Sequence, residues 1–388
     1  MKTSFIGCWC HMRIYAVQAS HLRKPLEKLI GSDIPVITSN CGCYYTNVPS
    51  VLKSFFNYKK SLTSPDVTFL KLPHFRVKED SRIGFIVRRV YRGMSERTRG
   101  RLYAKKTRDK DIVHFHQSAD AFGYDPLKWF LRFAKNKTVV TIYGLSPIQK
   151  ERPELNQIYN CASAVIVSTN YMKQHLVGCG VLAEKIHVIP YGATAKPIPQ
   201  AKREGAIMFA GSPLIDVKGF TYLASALKML KDEGKPIRLK MHGYYMPGHQ
   251  EWAADVSKKE GIDDLIDWLS FHSVDELIDS YQKSMCSVIP YTEYPGCFPV
   301  TVAMANGVPV VASDAMGIPE YLADGGGIVV ESRSADKLAG ALRKIRDDES
   351  LRVSLGKQGR AVAEKRFAWD VLAHQTFQVY KQVLESGK

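Results

Sequence analysis

The chain reads as an α/β protein built of two doubly wound, parallel-sheet halves facing a cleft. Three observations predict this. Short β-type apolar runs alternate with helix-length amphipathic segments, the alternation restarts after a polar Pro-containing stretch, and 388 residues exceed what one hydrophobic core ordinarily organises.

In the first half, Pro35–Thr38, Asp111–His116, Thr138–Tyr143, Ala164–Val167 and Lys185–Pro190 read as strands, with another just ahead of Cys8. Ala195–Glu204 carries Pro197 and Pro199 among polar residues and reads as a linker. Beyond it, Ala206–Ala210, Ile237–His242, Ser287–Pro290 and Pro309–Ser313 read as strands. Thr221–Leu230, Asp336–Arg346 and Trp369–Leu384 place apolar residues at helical spacing, and Ser334 suits the N-cap of the second. The predicted divisions are residues 1–196, 197–366 and a final helix, 367–388.

With 45% hydrophobic and 24% charged residues the composition is globular. Apolar runs fall far short of the roughly 20 residues a bilayer crossing needs. The start of the chain, with one lysine and an apolar stretch broken by Cys8, Cys10 and His11, does not read as a secretory signal, so a cytoplasmic protein with free thiols is expected.

The net charge is +16, and it is lopsided. Residues 1–200 hold 31 Lys and Arg against 13 Asp and Glu, and residues 71–110 hold 14 against 4. A field of that kind attracts a polyanion. Arg88, Arg89, Arg92 and Arg99, with Ile83, Phe85, Ile86 and Val90, read as a basic amphipathic helix on an anionic membrane surface. Aromatics interleaved with these charges, Phe75, Phe85, Tyr91 and Tyr103, would also suit nucleic acid, the weaker reading.

Two segments carry chemistry. Phe209–Phe220 leads from a strand into a helix through Gly211, Ser212, Lys218 and Gly219. Glycines let backbone amides approach a phosphate, a helix start adds partial positive charge, and a lysine adds a full one. Pro290–Asp314 runs strand, Pro/Gly loop, small-faced helix, Gly turn and buried strand, then continues to Gly317-Ile318-Pro319-Glu320. That layout puts loop groups where open α/β sheets bind ligands.

On Val188–Gly192, Lys218-Gly219, Glu293–Ser313 and Gly317–Glu320, the chain resembles family 4 of the glycosyltransferases, retaining enzymes of the GT-B fold. The match is strong from about Ala164 onward and weaker before it. The resemblance implies two Rossmann-like domains, the first for the acceptor and the second for a nucleotide-sugar donor, UDP- or GDP-linked, with no cofactor or metal required. It implies catalytic roles for Lys218, His116 and Glu293. It also implies donor contacts from Gly211, Ser212, Lys218, Gly243, Phe271, Gly296, Cys297, Phe298, Thr301 and Glu320. The expected partners are a nucleotide sugar, a glycan or lipid-linked acceptor of surface polysaccharide or glycolipid synthesis, and an anionic membrane surface, with no nucleic acid. Two departures stand out: Ser212 replaces a family arginine, and Val302 replaces the second of two glutamates, Glu293 being one residue out of register for the first. A degenerate, non-catalytic scaffold and an enzyme with a small soluble acceptor are the alternatives.

His114 and His116 alternate on one strand and share a face. His114 reads as structural. Cys8, Cys10, Cys41 and Cys43 could meet at one sheet edge, but one intervening residue is short for zinc pairs. Asp109-Lys110-Asp111 reads as a solvated turn rather than a cation site.

Overall fold

The structure is a computed structural model and describes residues 1–7, 13–34, 36–39, 67–70, 94, 97–117, 126–144, 153–199, 203–211, 216–242, 248–269 and 274–386. The chain forms two compact units. Unit 1 is Met1–Pro190 with Leu372–Lys388, and unit 2 is Tyr191–Val371.

Unit 1 holds a seven-stranded parallel sheet in the order β3-β2-β1-β4-β5-β6-β7. Its strands are β1 (Thr3–Gly7), β2 (Val36–Ser39), β3 (Val67–Leu70), β4 (Ile112–Gln117), β5 (Lys137–Ile142), β6 (Ala164–Val167) and β7 (Ile186–Val188). Helices α1 (Arg13–Ile30), α2 (Pro126–Phe133) and α3 (Asn170–Gly178), with a helical stretch over residues 97–106, belong to it. Val113, Phe115, Phe130, Val140 and Tyr159 form its core, and all are buried.

Unit 2 holds a six-stranded parallel sheet in the order β10-β9-β8-β11-β12-β13. The strands are β8 (Ala206–Ala210), β9 (Arg238–His242), β10 (Ile266–Leu269), β11 (Cys286–Ile289), β12 (Val310–Ser313) and β13 (Gly327–Val330). Its helices are α4 (Phe220–Asp232), α5 (His249–Glu260), α6 (Val274–Lys283), α7 (Phe298–Ala305), α8 (Ile318–Leu322), α9 (Ala335–Asp347) and α10 (Glu349–Arg366). The last helix, α11 (Trp369–Glu385), starts in unit 2 and ends in unit 1.

Both sheets reverse their winding beside the central strand, at β1/β4 and at β8/β11, the place where doubly wound sheets bind ligands. A strand covered on both faces reads as a continuous apolar run, as in β6, which is Ala-Val-Ile-Val and wholly buried. Helix α7 buries every residue but Pro299. It packs on α10 through small residues: a Cβ added at Gly356 would lie 2.4 Å from the Gly307 carbonyl oxygen. Ser334 caps α9 by accepting from the Lys337 amide, and Asp348 caps α10 by accepting from Leu351 at 2.8 Å.

The units divide a few residues ahead of the Pro-containing segment because that segment is tied to unit 2. The Lys196 amide donates to Asn306 Oδ1 at 3.0 Å, and Arg203 Nη2 donates to the Gly307 carbonyl at 2.7 Å. β3, β10 and β13 go beyond the strands the apolar runs predict. Arg99 also differs from expectation. It is buried, since it lies on the same helical face as the buried Tyr103 and Thr107, which turns it inward. Arg88, Arg89, Arg92, Ile83, Phe85, Ile86 and Val90 lie outside the described residues. Among the described residues no helix is long and apolar enough to cross a membrane.

Candidate functional site

The strongest constellation sits on unit 2 at the C-terminal ends of β8 and β11, the switch point of the sheet. Gly211 follows β8 with φ +106, a conformation open to glycine, and its amide donates to the His242 carbonyl at 3.0 Å. Residues 216–219 form a turn closed by the Gly219 amide on the Asp216 carbonyl at 2.8 Å, from which α4 departs.

The loop after β11 clasps that turn. The Thr292 hydroxyl donates to the Asp216 carbonyl at 3.1 Å, and the Thr292 and Glu293 amides donate to the Val217 carbonyl at 3.1 and 3.2 Å. Gly219 has φ +67, and a Cβ there would fall 1.8 Å from the Pro290 carbonyl oxygen, so only glycine lets the loops close. Ser313 Oγ and, at 3.3 Å, Ser332 Oγ both donate to the Tyr291 carbonyl.

Lys218 lies inside this clasp. It is buried, with Nζ 4.8 Å from the centre of the Tyr294 ring and 5.6 Å from that of Tyr291. A Cβ at Gly211 would approach Nζ to 2.8 Å. No ion pair involves Lys218 among the described residues, and burial draws its pKa down to about 7. His249, first residue of α5, stands close enough for burial and the Lys218 charge together to lower its own pKa.

Cys297 caps α7 without a side-chain hydrogen bond to the helix, leaving the dipole of that helix start facing the loop. Its thiol is buried and bonds the Pro295 carbonyl at 3.4 Å. Burial and then the neighbouring Glu320 charge push the thiol pKa upward. Gly296 lies under Tyr294: a Cβ there would meet the ring at 2.4 Å. Phe298 is buried, and Thr301 is buried with its hydroxyl given to the Phe298 carbonyl at 3.0 Å. Glu293 is half-exposed and pairs with Arg333 at 2.7 Å. Arg333 takes φ +63, unusual for a residue with a side chain.

Of the residues read from the sequence, Lys218, Gly211 and Gly296 thus share one loop cluster, and the Glu293 backbone is tied to the same turn. Cys297 and Glu320 neighbour each other. Ser212, Gly243 and Phe271 lie outside the described residues. Tyr291, Tyr294 and His249 went unnoticed in the sequence. Only position 294 was legible there, as the register place of the first family glutamate.

Unit 1 has its own switch-point group on β4. His114 and His116 share a face, ring centres 4.1 Å apart, with Phe5 of β1 against both. His114 is saturated: Nδ1 bonds Tyr380 Oη and Nε2 bonds Thr141 Oγ1, each at 2.7 Å. That is a structural histidine. His116 Nδ1 bonds Tyr143 Oη at 2.7 Å, while Nε2 is buried and has no partner among the described residues. Burial lowers the His116 pKa to about 3, so the ring is neutral.

Asp109 pairs with Lys110 at 2.7 Å and Asp111 accepts from the Lys2 amide at 2.8 Å, as in a surface turn. Among the described residues no three His, Cys, Asp or Glu side chains gather to hold a metal. Cys8, Cys10, Cys41, Cys43 and His11 lie outside them.

Comparison with known proteins bears on this geometry. A family model described as Glycosyl transferases group 1 matches residues 194–362, and one described as Glycosyltransferase Family 4 matches residues 65–195. The chain is 27% identical to an MMP alpha-(1->4)-mannosyltransferase of Mycolicibacterium hassiacum over 62% of its own length and 58% of that protein's. It is 32% identical to a D-inositol 3-phosphate glycosyltransferase of Corynebacterium aurimucosum over 34% and 31%. The matched stretches therefore span less than two thirds of these relatives. Among solved structures, sucrose-phosphate synthase from Thermosynechococcus elongatus superposes with TM-score 0.74 at 18% identity, covering 99% of both chains. Anabaena HepE in complex with UDP and glucose superposes with TM-score 0.72 at 16% identity, covering 98% of this chain and 99% of that one. These two share the fold.

Proposed function

The chain belongs to glycosyltransferase family 4, and from the loop cluster around Lys218 on its GT-B fold we propose that it transfers a sugar from a nucleotide-diphosphate donor to a hydroxyl of a glycan or lipid-linked acceptor, with retention. One observation carries the reading: a buried lysine with no carboxylate partner among the described residues, close to Gly211 and Gly219 at the switch point of unit 2. A diphosphate arriving there would hold the Lys218 proton and supply the counter-charge for its ammonium form. When the bond between the sugar and phosphate breaks, Lys218 and the start of α7 stabilise the charge on the departing oxygen. No metal is needed for that step.

The remaining roles are those the family resemblance implies. The neutral His116 offers Nε2 to a sugar hydroxyl, and Glu293 or Glu320 orients donor hydroxyls. A UDP-linked donor is supported by HepE, solved with UDP, and a GDP-linked one by a Corynebacterium glutamicum relative named as a GDP-mannose-dependent mannosyltransferase. The basic first half suits an acceptor presented at an anionic, cytoplasmic membrane face.

The test is a thermal-shift panel of UDP-, GDP-, ADP- and CMP-sugars, followed by transfer assays on Lys218→Ala. A fitting donor raises apparent stability by about 2.7 kcal/mol at a hundred times its Kd. Turnover unchanged by the substitution overturns the assignment. A second reading has one observation in its favour. Tyr294 and the buried Val302 occupy both register positions of the family's glutamate pair, as in a scaffold that has lost turnover. Absence of hydrolysis or transfer with every donor selects the scaffold.

A further inference from the structure

Two elements of unit 1 gather basic and aromatic side chains on one exposed face. On the helical stretch 97–106, Arg97, Arg101 and Lys105 are exposed at helical spacing, with Met94 ahead of them 65% exposed. Helix α2 brings Trp129 and Phe133, partly exposed and stacked with ring centres 6.3 Å apart, and the exposed Arg132.

The guanidinium groups cover these rings. Arg97 lies 5.4 Å and Arg132 5.8 Å from the Trp129 ring centre, and Arg101 lies 4.8 Å from that of Phe133. Gly100 allows the approach: a Cβ there would fall 2.5 Å from Trp129 Cβ. Arg97, Arg101 and Arg132 form no ion pair among the described residues. The carboxylates of Asp109 and Asp111 are already committed.

The occupant has to be anionic and has to accept apolar edges. Single-stranded nucleic acid stacks its bases on bare ring faces, and here those faces carry guanidinium groups or each other. An anionic bilayer asks for no ring face. Its phosphates meet the arginines wherever they stand, while the ring edges and the Met94 side chain reach the headgroup boundary. We propose that this face, Met94, Arg97, Arg101, Trp129, Arg132 and Phe133, docks the protein on an anionic phospholipid surface. The proposal deepens the membrane-facing acceptor reading above, but binding itself requires no turnover.

The test is co-sedimentation of the full chain with phosphatidylcholine vesicles, with and without phosphatidylglycerol, at near-physiological salt. Each removed charge near such a surface lowers binding about fivefold, so Arg97→Ser with Arg101→Ser and Arg132→Ser lowers it about a hundredfold. The triple Arg→Lys variant keeps the charge and retains binding. In the wild type, brominated lipids quench tryptophan fluorescence, and Trp129→Phe removes most of that quenching, so the proposal stays testable where the triple serine variant fails to fold. Equal binding to neutral vesicles, undiminished binding by the serine variant, or quenching indifferent to Trp129 overturns it. So does single-stranded RNA that binds at this salt and is lost with the three arginines. A donor-dependent thermal shift without vesicles, equal in wild type and serine variant, separates this result from failure of the enzymatic reading.

Discussion

Lys218 Nζ stands 4.8 Å from the centre of the Tyr294 ring, and no carboxylate pairs with it among the described residues. The lysine faces a ring quadrupole rather than an opposite charge. Its burial therefore costs free energy, and burial pulls its pKa to about 7 from 10.5. The unfolded chain keeps that proton up to about pH 10, so the penalty is full below pH 7 and fades as pH rises from 7 to 10.5. Lys218→Met should therefore raise the Tm of the unliganded protein by several degrees at pH 6 to 7. The gain should vanish near pH 10.5, as a series of melting curves will show. The same variant should lose its donor-induced shift.

Gly211→Ala tests the cradle while leaving the lysine in the chain. The new methyl would sit 2.8 Å from Nζ, on a backbone at φ +106 that favours glycine. A stability loss of about 1 to 3 kcal/mol in urea is expected from the strained backbone, with donor affinity falling at least about tenfold. Calorimetric titration with the fitting nucleotide sugar checks the second part.

Gly219→Ala should be harsher. A Cβ 1.8 Å from the Pro290 carbonyl oxygen cannot be relieved by a rotamer, so the two loops must part. The expected destabilisation exceeds about 2 kcal/mol. Hydrogen exchange of the Thr292 and Glu293 amides, both bonded to the Val217 carbonyl, should accelerate together.

In unit 1, removing one hydroxyl should expose the role of the last helix. Tyr380→Phe leaves His114 Nδ1 buried without its partner, for a loss of about 1 to 3 kcal/mol. Acid should act on the same strand. His116 is held near pKa 3 by burial against an ordinary 6.5, so the unfolded chain takes up a proton first and stability falls as pH drops below 6.5. His116→Gln should flatten that slope in hydrogen exchange of the β4 and β5 amides.

The parallel sheets were legible in the sequence where strands are covered on both faces: Ala164–Val167 and Val308–Ala312 are continuous apolar runs with no competing period. Three of the four edge strands, β3, β10 and β13, were not. In β10 the run is broken by Asp267, which pairs with Arg238, and three of its four residues are partly exposed. The Gly211–Lys218 turn could be read because phosphate chemistry imposes glycine and lysine within a single loop. Tyr294 over Lys218 could not, since only tertiary folding brings the two loops together. Arg99 misled for a related reason. Charge along a chain does not say which side of a helix faces the core, and Tyr103 and Thr107 settle that.

The pairing of Tyr380 with His114 has a consequence for biosynthesis. Unit 1 takes Leu372–Lys388 as part of its own fold, yet that stretch is translated after the whole of Tyr191–Val371. At ordinary elongation rates the ribosome needs about 10 to 40 s to make the intervening unit. The half of the molecule that emerges first is thus completed last, and its histidine strand waits, open to chaperones, for the final helix to arrive.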